Sequence, residues 1–220
     1  MKKIEKIVSK YSNKEKIVYL VKNFEFMMTL LSITATYFLT TGIQFWISDY
    51  WNVVLGEPKE KTNLYFAICA ITGPVAGVAV GGIAFARLGG FESYKSFPIA
   101  VGIMSLGAIV ASPMPFFDNI GIAAFLLWFQ FFCGGFCVPL LMSKLIHSVP
   151  PSASTTANSF ANFVQNLAGY LPAPFVYGLI QDNTGGLKSR WGLFSLECSG
   201  IFAILILNIM LYRHCKETRA

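Results

Sequence analysis

Charged residues are scarce in this 220-residue chain. Asp, Glu, Lys and Arg make up 13% of it, 55% is hydrophobic, and the mean hydropathy is +0.57. Soluble domains carry about 25% charged residues, which excludes that class. The long apolar runs also lack the alternating pattern of strands in a transmembrane barrel. We therefore expect an all-α integral membrane protein.

The groups that build catalytic or metal centres are equally sparse. The two histidines, His147 and His214, have no nucleophile and acid beside them in the sequence, and no phosphate-binding glycine loop is present. Cys133 and Cys137 are one helical turn apart, but no nearby His or carboxylate completes a metal site. We expect no enzyme activity, no metal and no cofactor.

The apolar runs predict the membrane spans. A hydrocarbon core of ~30 Å needs roughly 20 apolar residues per helix. Six segments meet this need, at residues 24–48, 63–86, 97–117, 119–142, 155–180 and 191–212. The chain thus divides into a basic leader (1–23), a six-helix transmembrane domain (24–213) and a tail (214–220).

The basic residues predict the orientation. Most of the 17 Lys and Arg lie in the leader, the tail and the connections on the same side, whereas the other side holds only Lys59, Lys61, Lys188 and Arg190. Under the positive-inside rule both termini face the cytoplasm. The net charge of +6 is thereby explained by topology, so the expected partner is a lipid bilayer and not nucleic acid.

The leader leaves two interpretations open. Ile4, Ile7, Val8 and Tyr11 recur at helical spacing, which indicates an amphipathic helix on the cytoplasmic membrane surface. The alternative is a solvated basic segment that only follows the topology rule. A cleaved secretory signal is not expected, because the charged leader precedes a full-length span.

Glycines repeat at an offset of 96 residues. The offset superimposes Gly73 on Gly169, Gly82 on Gly178, Gly89 on Gly185 and Gly90 on Gly186. It pairs the second span with the fifth and divides the six helices into two triplets of opposite orientation. Both spans also contain proline, Pro74 in one and Pro172 and Pro174 in the other. Inverted repeats with matching Gly/Pro-interrupted helices are typical of secondary transporters.

Polar side chains follow one face of the first and fifth spans. Asn158, Asn162 and Asn166 have i, i+4, i+8 spacing, and an amide facing lipid would lose water without gaining a partner. We predict that these faces line a solute cavity; for each residue the alternative is a hydrogen bond between helices. The candidate binding residues are Thr36, Tyr37, Thr40, Gln44, Gln130, Asn158, Asn162 and Asn166.

Two carboxyl groups are candidate coupling sites, because ionisable groups in a membrane are commonly functional. They are Glu25 at the start of the first span and Glu197 about two turns into the last. The simpler expectation is that Glu25 is interfacial beside Lys22, and that Glu197 snorkels or pairs with Arg190 near the outer surface.

The segment GGIAFARLGG (81–90) resembles the signature loop of the major facilitator superfamily, a Gly-x-x-x-Asp-Arg-x-Gly pattern after the second helix of each half. Gly82, Arg87 and Gly89 match, and Ala86 stands in the acidic position. The resemblance implies that the charge relay of that loop is weakened or absent in this chain.

Residues 149–182 are similar to the eleventh helix of spinster-like and organic-anion-transporting members, where a Gly-Tyr-x-Pro-x-Pro core recurs. Gly169, Tyr170, Pro172 and Pro174 carry this match, and residues 40–51 resemble the end of the seventh helix in those proteins. The resemblance implies the C-terminal six-helix half of a twelve-helix transporter, with the leader matching the central linker and the cavity lying between the halves.

The resemblance further implies alternating-access transport of a small organic solute, lipid-like or anionic. The conformational or structural residues would be Gly73, Pro74, Gly82, Arg87, Gly89, Gly169, Pro172 and Pro174. Three accounts stay open: a fragment of a longer product, a half-transporter that pairs with a second half or with itself, and a remnant. The alternative function is a noncatalytic membrane scaffold.

Overall fold

The computed structural model of the chain describes residue 5 and residues 7–219, with side chains up to residue 216. The leader residues Lys2, Lys3, Ile4 and Lys6 lie outside the described residues. The α-helices are, in order, α1 (Asn13–Lys22), α2 (Phe24–Val54), α3 (Lys59–Arg87), α4 (Ser96–Ala111), α5 (Ile120–His147), α6 (Pro151–Val164), α7 (Pro172–Asn183) and α8 (Trp191–Arg219). A π-helical turn, Gln165–Tyr170, joins α6 to α7, and short 3₁₀ turns occupy Met114–Phe116 and Gly186–Lys188.

Five helical segments in the described part of the chain are long and apolar enough to cross a membrane. They are Phe24–Val54, Lys59–Arg87, Ser96–Phe116, Ile120–His147 and Trp191–Lys216. The expected all-α integral membrane class is therefore confirmed. The predicted fifth span, 155–180, is instead assembled from α6, the π turn and α7.

Several predicted span ends were too short. The first helix continues six residues beyond 48, to Val54, because its last turns are buried by aromatic contacts that hydropathy does not register. Trp51 is fully buried there, and the Tyr50 hydroxyl donates a 2.6 Å hydrogen bond to the Pro115 carbonyl. The second helix likewise begins at Lys59 and not at 63, and the fourth continues to His147 and not to 142.

The leader contains a capped helix, α1. Ser12 and Glu15 form a capping box, in which the Ser12 N–H donates to Glu15 Oε2 at 2.7 Å and the Glu15 N–H donates to Ser12 Oγ at 3.4 Å. The hydrogen bond from the Ser12 N–H, followed by that of the Ser12 side chain, lowers the pKa of the Glu15 carboxyl. Leu20 is fully buried and joins α1 to the core of the bundle, where α1 contacts α2 and α6.

The π turn lies immediately before the two prolines of the predicted fifth span. Pro172 has no N–H and its ring crowds the carbonyl four residues earlier, so the chain cannot keep a regular α-helical turn there. The Leu171 N–H instead donates to the Asn166 carbonyl, five residues back, at 3.0 Å. Wide turns of this kind occur mostly as single turns inside α-helices.

Glycines bring α3 and α5 into backbone contact. A Cβ added to Gly77 would lie 2.1 Å from the Phe132 carbonyl oxygen, and one added to Gly81 would lie 2.7 Å from the Phe136 carbonyl oxygen. The opposing Gly135 would meet the Pro74 carbonyl oxygen at 2.4 Å. The small-residue face of α3 therefore lets the two helices approach more closely than any larger side chain permits.

Replacing Gly77 with Ala should destabilise the bundle by about 1–3 kcal/mol, because the new methyl group collides with the α5 backbone, which cannot rotate away. Gly82→Ala is the matched control on the same helix, since nothing lies within 4 Å of its Cβ position. There the better helix propensity of Ala should raise stability by up to about 1 kcal/mol. Thermal unfolding in detergent measures both; equal melting temperatures would contradict the close-packing account.

Candidate functional site

A cavity of about 290 Å³, partly open to the outside, is lined by α2, α3, α4, α5 and α8. Four of the sequence-predicted binding residues line it: Thr36, Tyr37 and Thr40 from α2 and Gln130 from α5. The rest of the wall is almost entirely apolar or glycine. The cavity thus offers a few hydrogen-bonding groups in an otherwise hydrocarbon-like space, the usual character of a small-molecule pocket.

The hydroxyls of the two cavity-lining threonines of α2 are satisfied within their own helix. Thr36 Oγ1 donates to the Ser32 carbonyl at 2.9 Å, and Thr40 Oγ1 donates to the Thr36 carbonyl at 2.9 Å. Because each hydroxyl proton already takes part in a hydrogen bond, the oxygen can interact with a ligand only by accepting a hydrogen bond. The polar stripe that the sequence shows on this helix is therefore compatible with burial without any ligand.

Tyr37 connects the cavity to the π turn. Its ring stacks on that of Tyr170, with 4.9 Å between the ring centroids. Gly169 makes this approach possible, because a Cβ there would lie 3.0 Å from the Thr34 carbonyl oxygen and 3.4 Å from Tyr37 Cβ. The π turn thus forms the side of the bundle next to the cavity-lining stretch of α2.

The other predicted amides do not line the cavity. All four of them are exposed at the surface of the described chain: Gln44, Asn158, Asn162 and Asn166. Asn166 Nδ2 donates to the Asn162 carbonyl at 2.7 Å, whereas within the described chain the side chains of Asn158 and Asn162 find no partner. We call this surface, together with the exposed Phe163, Leu167 and Leu171 beside it, the amide face.

Glu25 lies at the first turn of α2, where it forms an ion pair with Lys144 at the end of α5. The expected neighbour, Lys22, is not its partner. The Lys144 ammonium also lies 4.6 Å from the centre of the Phe97 ring, a cation–π contact. The pair joins the two helix ends on the side predicted to be cytoplasmic, and its carboxyl is half exposed.

Glu197 is not at the surface, and the expectation that it snorkels or pairs with Arg190 is wrong. Its side chain is 1% exposed, and Gln130 Nε2 donates a 2.7 Å hydrogen bond to its Oε2. Arg190 instead pairs with Asp118 and donates to the Pro115 carbonyl at 3.2 Å. The hydrogen bond to Asp118 raises the pKa of the Arg190 guanidinium. The pair also joins two interhelical connections at one end of the bundle.

The predicted conformational residues occupy several environments. Pro74 lines the cavity from α3, and its carbonyl faces Gly135. Gly82 and Arg87 are exposed near the end of α3, and Gly89 follows with a φ of +94° that favours glycine.

The prolines after the π turn are held by α2. Pro172 is the first residue of α7, and the Pro174 carbonyl accepts a 3.0 Å hydrogen bond from Trp46 Nε1. Trp46 also stacks on Tyr177, with 4.9 Å between the ring centroids. The irregular segment is thus packed against protein and not left open on this side.

Sequence reasoning missed Gly134 and the inward position of Glu197. Gly134 is the one residue in the Gly-Gly pair of α5 with open space at its Cβ position, and it lines the cavity. Glu197 shares a helical stripe with Gly200 and Ile204, at i+3 and i+7, and both of these line the cavity. The sequence alone does not show that this stripe faces inward.

Comparison with known proteins places the chain beside one described family. The profile of the family described as Major Facilitator Superfamily matches residues 3–173. The matched region runs from the leader through the π turn to the start of α7, and so includes most of the helices that line the cavity. A search among curated proteins found no match.

Substituting Gly134 with Leu should fill part of the cavity without a collision, because nothing lies within 4 Å of its Cβ position. We expect a near-native melting temperature and loss of binding of an apolar fluorescent reporter. Gly135→Leu, one residue along, should instead unfold at lower temperature, since its Cβ would lie 2.4 Å from the Pro74 carbonyl oxygen. Undiminished reporter binding by Gly134→Leu would show that the reporter does not enter this cavity.

Proposed function

The chain belongs to the major facilitator superfamily, and from this membership we propose that it forms six membrane-spanning helices and moves a small organic solute by alternating access. The proposal includes the predicted orientation, with both termini in the cytoplasm. The motif matches in α3 and around the π turn support a relationship to spinster-like and organic-anion-transporting members, and to the C-terminal half of such transporters. No catalytic role is part of the proposal.

The helix contacts support two inverted triplets. We pair α2 with α5, α3 with the segment α6–π turn–α7, and α4 with α8. Under this pairing the contact between α3 and α5 corresponds to the contact of the π turn and α7 with α2. In the same way, the contact between α2 and α8 corresponds to the contact between α5 and α4. All four contacts are present.

The glycine repeat supports the same pairing at the level of single residues. A Cβ on Gly73 would lie 3.0 Å from a carbonyl oxygen of α5, and one on Gly169 would lie 3.0 Å from a carbonyl oxygen of α2. The loop glycines that the offset relates also share a backbone feature, because all of them have positive φ: Gly89, Gly90, Gly185 and Gly186. Only glycine adopts such angles readily.

The amide face is the single observation that carries the transport proposal. Unsatisfied amides facing lipid cost free energy, and polar groups in membrane segments are retained where they meet protein or a water-filled path. We propose that a second six-helix unit, either another half or a second copy of this chain, covers the amide face and encloses a solute path. The apolar side chains among the amides favour a lipid-like solute.

Reconstituted uptake of a fluorescent lipid-like solute tests the proposal. The chain is placed in liposomes alone and together with the encoded upstream half, where the gene supplies one. Asn162→Ala and Gln44→Ala should each lower the initial rate about threefold to tenfold, as expected for the loss of one hydrogen bond. Asn208→Ala is the matched control, because Asn208 is exposed on α8 and donates to the Ile204 carbonyl of its own helix at 2.9 Å and to Ser105 Oγ at 3.5 Å.

The outcome separates the two candidate functions. Saturable flux that the amide-face variants reduce and Asn208→Ala does not would support transport. Absence of flux from the chain in either arrangement, with the protein folded and inserted, would favour the noncatalytic scaffold or the remnant half-transporter.

A further inference from the structure

Glu197 is a carboxyl group inside the bundle that the transport proposal does not use. It lies six residues into α8, about 9 Å along the helix from Trp191. Gly200 and Ile204 are on the same helical stripe and line the cavity. Glu197 therefore points toward the interior, where it is buried against Gln130, which itself lines the cavity.

No cation among the described side chains compensates this carboxyl. None of the ion pairs among the described residues includes Glu197. On its own helix the nearest basic residue toward the cytoplasm is Arg213, 16 residues and about 24 Å away. On the other side Arg190 is seven residues away and committed to Asp118 and the Pro115 carbonyl.

α8 is contacted by α2, α4 and α7, and by α5 through Gln130. The charged residues of these helices lie near the helix ends. The acidic and basic residues on them are Glu25 and Asp49 on α2, Lys144 and His147 on α5, and Asp182 on α7, with none on α4. Their other titratable groups carry no positive charge in either protonation state: the phenols of Tyr37, Tyr50 and Tyr177, and the thiols of Cys133 and Cys137.

Two oxygen atoms of the Glu197–Gln130 pair have no hydrogen-bond donor among the described residues. Gln130 Nε2 donates to Glu197 Oε2, while Glu197 Oε1 and Gln130 Oε1 are both buried without a donor. An ionised carboxylate with one neutral donor and no cation is strongly disfavoured in a low-dielectric interior. A protonated carboxyl carries an O–H on Oε1, and the amide oxygen of Gln130 is an acceptor on the same partner.

We propose that Glu197 and Gln130 form a cyclic acid–amide pair that binds one proton inside the bundle. In this pair the amide N–H donates to Oε2 of the acid, and the acid O–H donates to the amide oxygen. Both orphaned oxygens are then satisfied and the site carries no net charge. Release of the proton leaves a carboxylate whose one remaining donor is the Gln130 amide.

The pair is connected to the cavity through Gln130, which belongs to both. A solute that hydrogen-bonds the Gln130 amide competes with Glu197 for it, so occupation of the cavity and occupation of the proton site are linked. This consequence rests on the transport proposal, whereas the proton site itself does not, because it exists in the protein without solute.

Infrared spectroscopy of the purified protein at neutral pH tests the site directly. A protonated carboxyl has a C=O stretch separate from that of carboxylate, and the band shifts in heavy water. We expect this band in the wild type, its loss in Glu197→Gln, and its persistence in Glu25→Gln, which removes a half-exposed carboxyl. Gln130→Leu should move the band to higher frequency, because the acid loses both hydrogen bonds.

Glu197→Gln should keep a near-native melting temperature, since an amide replaces both hydrogen bonds of the acid without adding charge. Should that variant fail to fold, wild-type protein isotope-labelled at the glutamate carboxyls decides the matter, because the acid band must then shift with the label. Absence of a protonated carboxyl band in the wild type, or a band that survives Glu197→Gln, overturns the proposal. Neither result depends on whether the chain transports a solute.

Discussion

A polar group in hydrocarbon must find its hydrogen-bond partner inside the protein, and this constraint explains most of the irregular features of the bundle. Thr36 and Thr40 of α2 donate to carbonyls of their own helix, Trp46 donates to the Pro174 carbonyl, and Leu171 donates five residues back where proline prevents the regular turn. Each device keeps a polar atom inside the membrane without exposing it to lipid. The side chains of Asn158 and Asn162 have no such partner within the described chain, and both are exposed at its surface.

Close approach of helices is the second requirement, because helices in lipid gain little from the hydrophobic effect and associate through packing. Gly77 and Gly81 remove side chains where α3 meets the backbone of α5, and Gly169 does the same where the π turn meets α2. The cavity remains where helices are spread apart around it, with Gly134 facing open space and Gly135, its neighbour, in tight contact. Two adjacent glycines thus serve opposite purposes.

The sequence was sufficient for the helical membrane class and for five of the spans, because hydropathy over 20 residues depends only on composition. It did not define helix ends such as Val54, which depend on the tertiary contacts of Tyr50 and Trp51. It grouped the amides of α6 with the hydroxyls of α2, whereas the structure places the hydroxyls in a cavity between helices and the amides on an exposed face. Glu197 was misplaced because snorkelling and burial give the same residue pattern, and only the neighbouring Gln130 distinguishes them.

The π turn also determines which face of α7 points into the bundle. Buried positions recur at every fourth residue on both sides of it: Ala153, Ala157, Ala161, Gln165, Gly169, Ala173, Tyr177 and Gln181. A regular α-helix repeats every 3.6 residues, so this stripe would drift about 40° at each step and travel most of the way around the helix. The extra residue wound into the wide turn cancels about 100° of that drift. Shortening the turn by one residue would therefore rotate the whole of α7, and would carry the Tyr177 ring off its stack with Trp46.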